Sequence, residues 1–311
     1  MTGARRLSLL LLLLLALAGG TWANEEGRRD PGPTPDPSPP ATKPLVIALV
    51  PEQNVSEQRR HYRFLARYLQ EKLGLPVELE LMTSYCSICK AVAEGTADAG
   101  FFGSFSYVLA QTKTAIEPLA RPVDLNDSAS YRCFIFARRD RGIEKVPDMQ
   151  GRRLVLVDRA TTAGYIYPLY YFRNQGVVRL EDFFGRVDFA GTHDAAAWAV
   201  FIGEADVGAC KSQVYQALAR EYPAFAQEMS VLAASPEVPS NTFAVRKDVN
   251  PVLKMRLRDL LLGMHDSAAG REALAGFGAK RFIPTLHEDY RPLFLMIDAL
   301  GIDLGTFPSE D

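Results

Sequence analysis

"AVAEGTADAGFFGSFSYVLA", residues 91–110, and "AVFIGEADVGACKSQVYQAL", residues 199–218, are two versions of one pattern. Identical residues recur at a constant offset of 108, in the pairs Gly95/Gly203, Asp98/Asp206, Gly100/Gly208, Ser104/Ser212 and Tyr107/Tyr215. A constant offset over such a run predicts two structural units of one type. Abundant Ala and Gly favour accidental matches, but the ordered Gly, Ala-Asp and Gly make accident the weaker explanation.

The repeat extends towards the N-terminus. "PLVIALVP" (44–51) falls opposite "RRLVLVDR" (152–159), and each is a short apolar run typical of a buried strand. In both copies a helix, a second strand, a second helix and a third strand are predicted after this strand; the first helix of the first copy is predicted at Gln58–Leu73 and the last strand of the second copy at Asp206–Cys210. The βαβαβ order predicts a parallel sheet with helices on its faces. The predicted fold class is therefore α/β, with two βαβαβ lobes and a ligand cleft at the carboxyl ends of the strands.

Two further strand-like segments are predicted to cross between the lobes, at Tyr131–Arg138 and at Asn241–Val245. They set the predicted domain boundaries: a first lobe of residues 45–134 and 242–311, and a second lobe of residues 135–241. Two C-terminal helices, Pro251–Met264 and about Glu288–Leu300, are expected to pack back on the first lobe.

The start of the chain has the order of a secretory signal peptide, predicted for residues 1–23. Arg5 and Arg6 precede the apolar run Leu7–Ala18, and small residues lead to Ala23. The apolar run is short for a membrane span, so export to the periplasm is predicted and a membrane-anchored form is the alternative. Residues 24–44 are polar and Pro-rich, which predicts an extended linker.

The composition limits the classes of function. The chain has 311 residues, 48% of them hydrophobic, and a formal net charge of -2. That length suits two lobes, and the absence of a basic block argues against nucleic acid as a partner. No cofactor is expected, and a monomer is predicted. The "CSIC" motif (86–89) lacks a second ligand pair for zinc, so no metal site is predicted.

The repeat also indicates which residues face the cleft. "ATTAG" (160–164) follows the first strand of the second lobe, where the hydroxyls of Thr161 and Thr162 and the N–H groups of a helix start attract anions. A simple helix cap by one Thr is the alternative. The offset of 108 pairs Tyr85 with His193, so both are predicted to donate hydrogen bonds into the cleft from opposite sides. A protonated His193 would add charge to its hydrogen bond.

In combination, these motifs resemble the substrate-binding proteins of phosphate/phosphite/phosphonate ABC importers. The resemblance covers about Leu45 to Leu304 and rests on "SASYRCFIFAR" (128–138), "DRATTAGYIYP" (158–168), "GTHDAAAWAVFIGEADVGA" (191–209) and "SPEVPSNTFAVR" (235–246). It implies a type II periplasmic binding protein that closes on a tetrahedral oxyanion. It also implies delivery of that oxyanion to an ABC permease, or its presentation to a membrane sensor.

The resemblance carries over to particular residues. The family's oxyanion loop, usually Ser-Thr-Ser-Gly, falls here on Thr161, Thr162, Ala163 and Gly164. Its pocket tyrosines fall on Tyr85 and Tyr131, and its oxyanion-binding histidine falls on His193. An acidic position of aminophosphonate binders is Asn241 here, and Lys211 ends the last strand of the second lobe. Lys211 and Asn241 together favour an inorganic oxyanion over an aminophosphonate.

The cysteines leave two alternatives open. Cys86 follows Tyr85, Cys133 is close to Tyr131, and Cys210 precedes Lys211. Cys86 and Cys210 are therefore candidate ligand-binding residues of an arsenic-oxyanion sensor that works with a histidine kinase, because thiolates bind soft ligands. Buried core thiols or disulfides are the other reading. An enzyme in which Cys86 or Cys89 works with His193 lacks a third group to orient the histidine, and no catalytic activity is predicted.

Overall fold

A computed structural model describes residues 43–308 of the chain. The predicted signal peptide, and the predicted linker up to residue 42, lie outside the described residues. Among the helices of residues 43–308, none combines the length and the apolar character that crossing a bilayer requires.

Within the described part of the chain, the strands in order are β1 (Leu45–Leu49), β2 (Val77–Leu81), β3 (Ala99–Phe102), β4 (Ile116–Asp124), β5 (Ser130–Tyr131), β6 (Cys133–Arg138), β7 (Arg153–Leu156), β8 (Arg186–Phe189), β9 (Val207–Lys211), β10 (Met229–Ala234), β11 (Val238–Pro239), β12 (Thr242–Arg246) and β13 (Ala279–Pro284). The α-helices are α1 (Val55–Leu73), α2 (Ser87–Glu94), α3 (Ser104–Lys113), α4 (Tyr167–Asn174), α5 (Leu180–Phe183), α6 (His193–Phe201), α7 (Ser212–Glu221), α8 (Pro223–Glu228), α9 (Pro251–Leu262), α10 (Ala268–Phe277) and α11 (Arg291–Leu300). A π-helical turn, Thr162–Ile166, leads directly into α4.

Two sheets form the centres of two lobes, as the repeat predicts. The first sheet has the order β13-β4-β12-β3-β1-β2 and the second has the order β10-β6-β9-β7-β8. In each, the central strand of the βαβαβ unit, β1 or β7, pairs in parallel with both other strands of that unit. The strand beside β3 or β9 is antiparallel and arrives from another part of the chain. The predicted α/β fold with two equivalent lobes is confirmed.

The repeated Ala-Asp pair has a structural role at the start of each parallel sheet. The carboxylate of Asp98 accepts a hydrogen bond from the Val46 backbone N–H at 3.1 Å. The carboxylate of Asp206 accepts one from the Arg153 N–H at 3.0 Å and another from the Arg153 side chain at 3.1 Å. Each Asp lies directly before the third strand of its unit, β3 or β9, and fixes the beginning of that strand against the beginning of the first, β1 or β7. Val46 and Arg153 therefore occupy equivalent positions, 107 residues apart. The first strands of the two lobes thus align at an offset one residue shorter than the 108 of the repeat.

The repeated glycines let a helix approach the sheet. A Cβ atom on Gly100 would lie 2.9 Å from the Cδ1 atom of Ile88 on α2. A Cβ atom on Gly208 would lie 2.7 Å from the Cγ2 atom of Val200 on α6. Such distances are shorter than van der Waals contact, so only glycine allows this close packing of helix on strand.

The crossing between the lobes and the packing of the two C-terminal helices can be compared with expectation, and one helix differs from it. The short strands β5 and β11 pair with each other where the chain crosses between the sheets. Helix α9 packs on the first sheet, as expected, but α11 packs against α4 and the π-helical turn of the second lobe. The Arg173 guanidinium on α4 donates to the Leu300 carbonyl at the end of α11 at 2.8 Å. The expectation that α11 packs on the first lobe is therefore wrong, because the apolar residues of α11 pack with those of α4 and the π-helical turn.

Candidate functional site

The loop after β7 brings one free hydroxyl to the cleft rather than two. The Thr161 hydroxyl donates to the Asp158 carbonyl at 2.6 Å and closes a turn. The Thr162 hydroxyl, by contrast, is buried without a protein hydrogen-bond partner. A buried hydroxyl without a partner is costly, which marks Thr162 as a donor available to a ligand. The predicted pair of hydroxyls is thus divided between a structural role for Thr161 and a candidate binding role for Thr162.

The same loop presents backbone N–H groups. The π-helical turn begins at Thr162, and the N–H groups of a first helical turn have no acceptor within the helix. Gly164 is needed here, because a Cβ atom on it would lie 2.3 Å from the Cβ atom of Val157. Ala163 is buried beside Gly164 and adds no polar group. The loop therefore offers one hydroxyl and a set of N–H groups at the positive end of a helix.

Tyr85 lies across the cleft from this loop. Its backbone N–H donates to the Asp158 carboxylate at 3.1 Å, a contact that joins the first lobe to the second. Its hydroxyl is buried and has no protein partner. Burial and then the negative charge of Glu52 raise the pKa of Tyr85, so the phenol stays protonated and can donate a hydrogen bond.

His193 begins α6 on the second lobe, with its ring 6.1 Å from the Tyr85 ring, centroid to centroid. The Nδ1 atom of His193 accepts a hydrogen bond from the Lys211 N–H at 3.4 Å, which assigns the ring proton to Nε2. Burial, and then the charge of Lys211, hold the pKa of His193 well below its usual value. The protonated His193 considered from sequence is therefore replaced by a neutral Nε2–H donor in the ligand-free protein.

Tyr131 lies beside the site, but its hydroxyl proton is already donated to another side chain. Its hydroxyl is 3.0 Å from the Ser104 Oγ atom, and Ser104 in turn donates to the Pro239 carbonyl at 2.8 Å. Because Ser104 has one proton, Tyr131 is the donor of their shared bond. Burial raises the pKa of Tyr131, and the nearby hydroxyls of Ser104 and Thr162 oppose this rise. The Thr162 hydroxyl nevertheless makes no hydrogen bond of ordinary geometry with Tyr131. Tyr131 thus shapes the pocket and contributes an acceptor.

Lys211 and Asn241 meet at a residue that sequence reasoning missed. The Lys211 ammonium makes an ion pair with the Glu52 carboxylate and donates to the Asn241 Oδ1 atom at 2.7 Å. The Asn241 Nδ2 group donates to the other Glu52 oxygen at 2.6 Å. Lys211 also lies 4.7 Å from the centroid of the Tyr131 ring. We call Glu52, Lys211 and Asn241 the cleft triad; Glu52 lies on the β1–α1 loop, Lys211 comes from the second lobe, and Asn241 precedes β12.

Glu52 has a detectable signal in the sequence. The repeat offset places "PEQN" (51–54), the loop after β1, opposite the "ATTAG" loop after β7. Equivalent loops at the carboxyl ends of the strands are expected to border the cleft from opposite lobes. Two backbone contacts hold the loop there: the His193 N–H donates to the Glu52 carbonyl at 3.1 Å, and the Asn54 N–H donates to the Asp194 carboxylate at 3.0 Å. Thr242, which follows Asn241, carries a further buried hydroxyl without a partner and was also missed.

The cysteines do not join the hydroxyl groups. In the described part of the chain none of the four forms a disulfide, and all four are buried. The Cys86 thiol donates to the Pro308 carbonyl at 3.6 Å, and the Cys210 thiol donates to the Lys211 carbonyl at 3.4 Å. Burial raises the pKa of Cys89 and of Cys133 to about 12, so both remain protonated thiols. We therefore leave Cys86 and Cys210 out of the proposed site. Within residues 43–308, no group of three or more His, Cys, Asp or Glu side chains is arranged to hold a metal ion.

The arrangement suits an oxyanion held by neutral donors. Thr162, Tyr85 and His193 come from two lobes and supply an alcohol, a phenol and an imidazole N–H, and the helix start adds backbone N–H groups. Lys211 carries a positive charge, but Glu52 balances it. A two-lobed α/β fold with such donors buried between the lobes defines a class of solute-binding proteins.

The family follows from comparison with known proteins. Residues 47–290 match the family model described as "ABC transporter, phosphonate, periplasmic substrate-binding protein". The chain belongs to this family. Its members are substrate-binding components of transporters and not enzymes. This excludes the alternative of an enzyme in which Cys86 or Cys89 works with His193. The arsenic-sensor alternative is not supported by these comparisons.

Two relatives and one solved structure show how similar the chain is to individual known proteins. The chain is 30% identical over 172 residues to the "Phosphate-import protein PhnD" of Mycolicibacterium smegmatis, which covers 53% of this chain and 54% of that protein. It therefore spans about half the length of that relative. It is 22% identical over 237 residues to the "Phosphonates-binding periplasmic protein" of Escherichia coli, covering 75% and 69%. The solved structure of PhnD1 from Prochlorococcus marinus with methylphosphonate has a TM-score of 0.75 and 19% identity, covering 83% of this chain and 98% of that one.

Proposed function

We propose that the protein captures a tetrahedral phosphorus oxyanion, such as phosphate, phosphite or a small phosphonate, and delivers it to an ABC permease. The observation that carries this proposal is the pair of buried, unpartnered hydroxyls of Thr162 and Tyr85, which approach from two lobes beside the neutral His193. The names of the relatives support the same class of ligand, since they refer to phosphate, to phosphonates and to methylphosphonate.

In the proposed binding mode, hydrogen-bond donors recognise the anion and no unpaired positive charge is needed. The Thr162 hydroxyl, the Tyr85 phenol, the His193 Nε2–H group and the N–H groups of the π-helical turn donate to the oxygens of the anion. Hydrogen bonds to a charged partner each contribute about 1.5–3 kcal/mol, so three or four of them suffice for tight binding without a free cation. Desolvation of the anion is offset by fixed donors, as at other helix N-termini.

We propose that residues 1–23 direct export, that residues 24–44 form a linker, and that the mature protein works as a monomer in the periplasm. Presentation of the ligand to a membrane sensor is the alternative use of the same site.

Binding is tested by isothermal calorimetry on the protein starting at residue 43. The panel contains phosphate, phosphite, methylphosphonate, arsenate, arsenite, sulfate and selenate. We expect at least one phosphorus oxyanion to bind with 1:1 stoichiometry, and to raise the unfolding temperature by stabilising the folded state. Binding of none of the three phosphorus compounds would refute the proposal.

A further inference from the structure

A second compartment lies beside the proposed oxyanion site. It is a cavity of about 300 Å³ between the lobes, and all three members of the cleft triad line it. Its other walls include the polar residues Asp124 and Gln213. None of the proposed oxyanion donors, Thr162, Tyr85 and His193, lines this cavity. The triad is therefore the boundary between the proposed site and the outer cavity.

Two members of the triad contact both His193 and the cavity. The backbones of two triad members contact His193 directly: its N–H donates to the Glu52 carbonyl at 3.1 Å, and its Nδ1 atom accepts from the Lys211 N–H at 3.4 Å. The same two residues also line the cavity. The negative charge of Glu52 also acts electrostatically on the proposed site, because it contributes to the raised pKa of Tyr85.

The side chains of the triad also hold one another in place. Both carboxylate oxygens of Glu52 are occupied, one by the Lys211 ammonium and one by the Asn241 amide at 2.6 Å. Lys211 is 5% exposed and Asn241 is 6% exposed, so neither group can turn to solvent without losing its partners. Removing one member of such a buried charged group leaves the others unpaired, which opposes its rearrangement around a larger ligand.

We infer that Glu52, held by Lys211 and Asn241, limits the size of the group carried on the bound oxyanion, so that the site accepts phosphate, phosphite and methylphosphonate and excludes phosphonates with bulky substituents. This inference rests on the proposed function. It assigns to Glu52 a role in selectivity, with the cavity as the space that a larger substituent would need and cannot reach.

The test compares methylphosphonate with phenylphosphonate, two ligands of equal ionic charge at high pH that differ in bulk. Calorimetric dissociation constants are measured for the wild type, for Glu52→Ala, and for Glu52→Gln as the matched control that keeps the side-chain size. The ratio of the two constants removes any effect of the released Lys211 charge, because that charge acts on both ligands. Asn241→Ala opens the same boundary independently, in case Glu52→Ala does not fold.

We expect the wild type and Glu52→Gln to prefer methylphosphonate by at least about tenfold, a discrimination typical of one ill-fitting group in a closed pocket. In Glu52→Ala or Asn241→Ala this preference should fall by about tenfold or more, because the cavity becomes accessible. Glu117→Ala, which removes a surface partner of Lys254, should behave like the wild type.

Two results would overturn the inference while leaving the proposed function intact. One is equal affinity of the wild type for the two phosphonates. The other is a folded Glu52→Ala or Asn241→Ala variant that binds methylphosphonate and retains the wild-type ratio. If the wild type binds none of phosphate, phosphite and methylphosphonate, the proposed function fails and the inference fails with it.

Discussion

Replacing Thr162 with Val should move affinity and stability in opposite directions. Thr162 is 2% exposed and its hydroxyl has no partner in the ligand-free protein. Val has nearly the same shape and lacks the hydroxyl. An unpaired buried hydroxyl costs about 1–3 kcal/mol, so its removal should raise the unfolding temperature of the ligand-free protein by at least about 2 °C.

The same change removes a donor to the anion. A hydrogen bond to a charged group contributes roughly 1.5–3 kcal/mol, which corresponds to a loss of affinity of about ten- to 150-fold. Calorimetry with phosphate, phosphite or methylphosphonate, whichever the wild type binds, measures this loss, and a thermal melt without ligand measures the gain. Thr162→Ser keeps the hydroxyl and should retain most of the affinity.

Thr161→Val is the neighbouring comparison. Its hydroxyl donates to the Asp158 carbonyl at 2.6 Å, so its loss should lower the stability of the ligand-free protein by about 1 kcal/mol. If Thr162→Val instead lowers the unfolding temperature and leaves the affinity unchanged, the Thr162 hydroxyl only supports the helix start and the binding argument is wrong.

Three further perturbations address histidine, aspartate and cysteine. The pKa of His193 is depressed, so its contribution to ligand-free stability is complete above about pH 6.5 and declines as the pH falls below that value, because the unfolded chain then takes up a proton that the folded chain does not. His193→Gln should flatten this decline in urea unfolding between about pH 5 and 7.5, and identical slopes in the two proteins would contradict the assignment. Asp206→Asn should lower stability at neutral pH by roughly 1–2 kcal/mol, because the charged bonds to Arg153 that depress the pKa of Asp206 are lost; an unchanged melting temperature would show that the repeated Asp is dispensable. Cys86→Ser should leave phosphorus-oxyanion affinity unchanged, whereas arsenite binding by the wild type that disappears in this variant would restore the arsenic reading.

The internal repeat by itself determined much of the fold. Elements with strong local patterns are predicted to within a few residues: the predicted helix Gln58–Leu73 is observed as Val55–Leu73, and the predicted strand Asp206–Cys210 as Val207–Lys211. Asn54 caps the first of these helices and Gly74, in the left-handed conformation, ends it, which are features that the sequence displays directly. The pattern also predicts the helix at α11 but not its partner, since an apolar face does not specify which lobe covers it.

The site divides in the same way between sequence and structure. The sequence alone located the loop at Thr161–Gly164 and paired Tyr85 with His193, because a repeat of two lobes must place equivalent loops on opposite sides of one cleft. Only the tertiary structure decided that Thr161 bonds within its own turn, that His193 is neutral, and that Lys211 is balanced by Glu52. The last of these contacts depends on groups that lie far apart along the chain and meet only when it folds, as Glu52 and His193 also do. Hydrogen-bond pairing and charge balance depend on distances of a few ångströms, and no pattern along the chain records them.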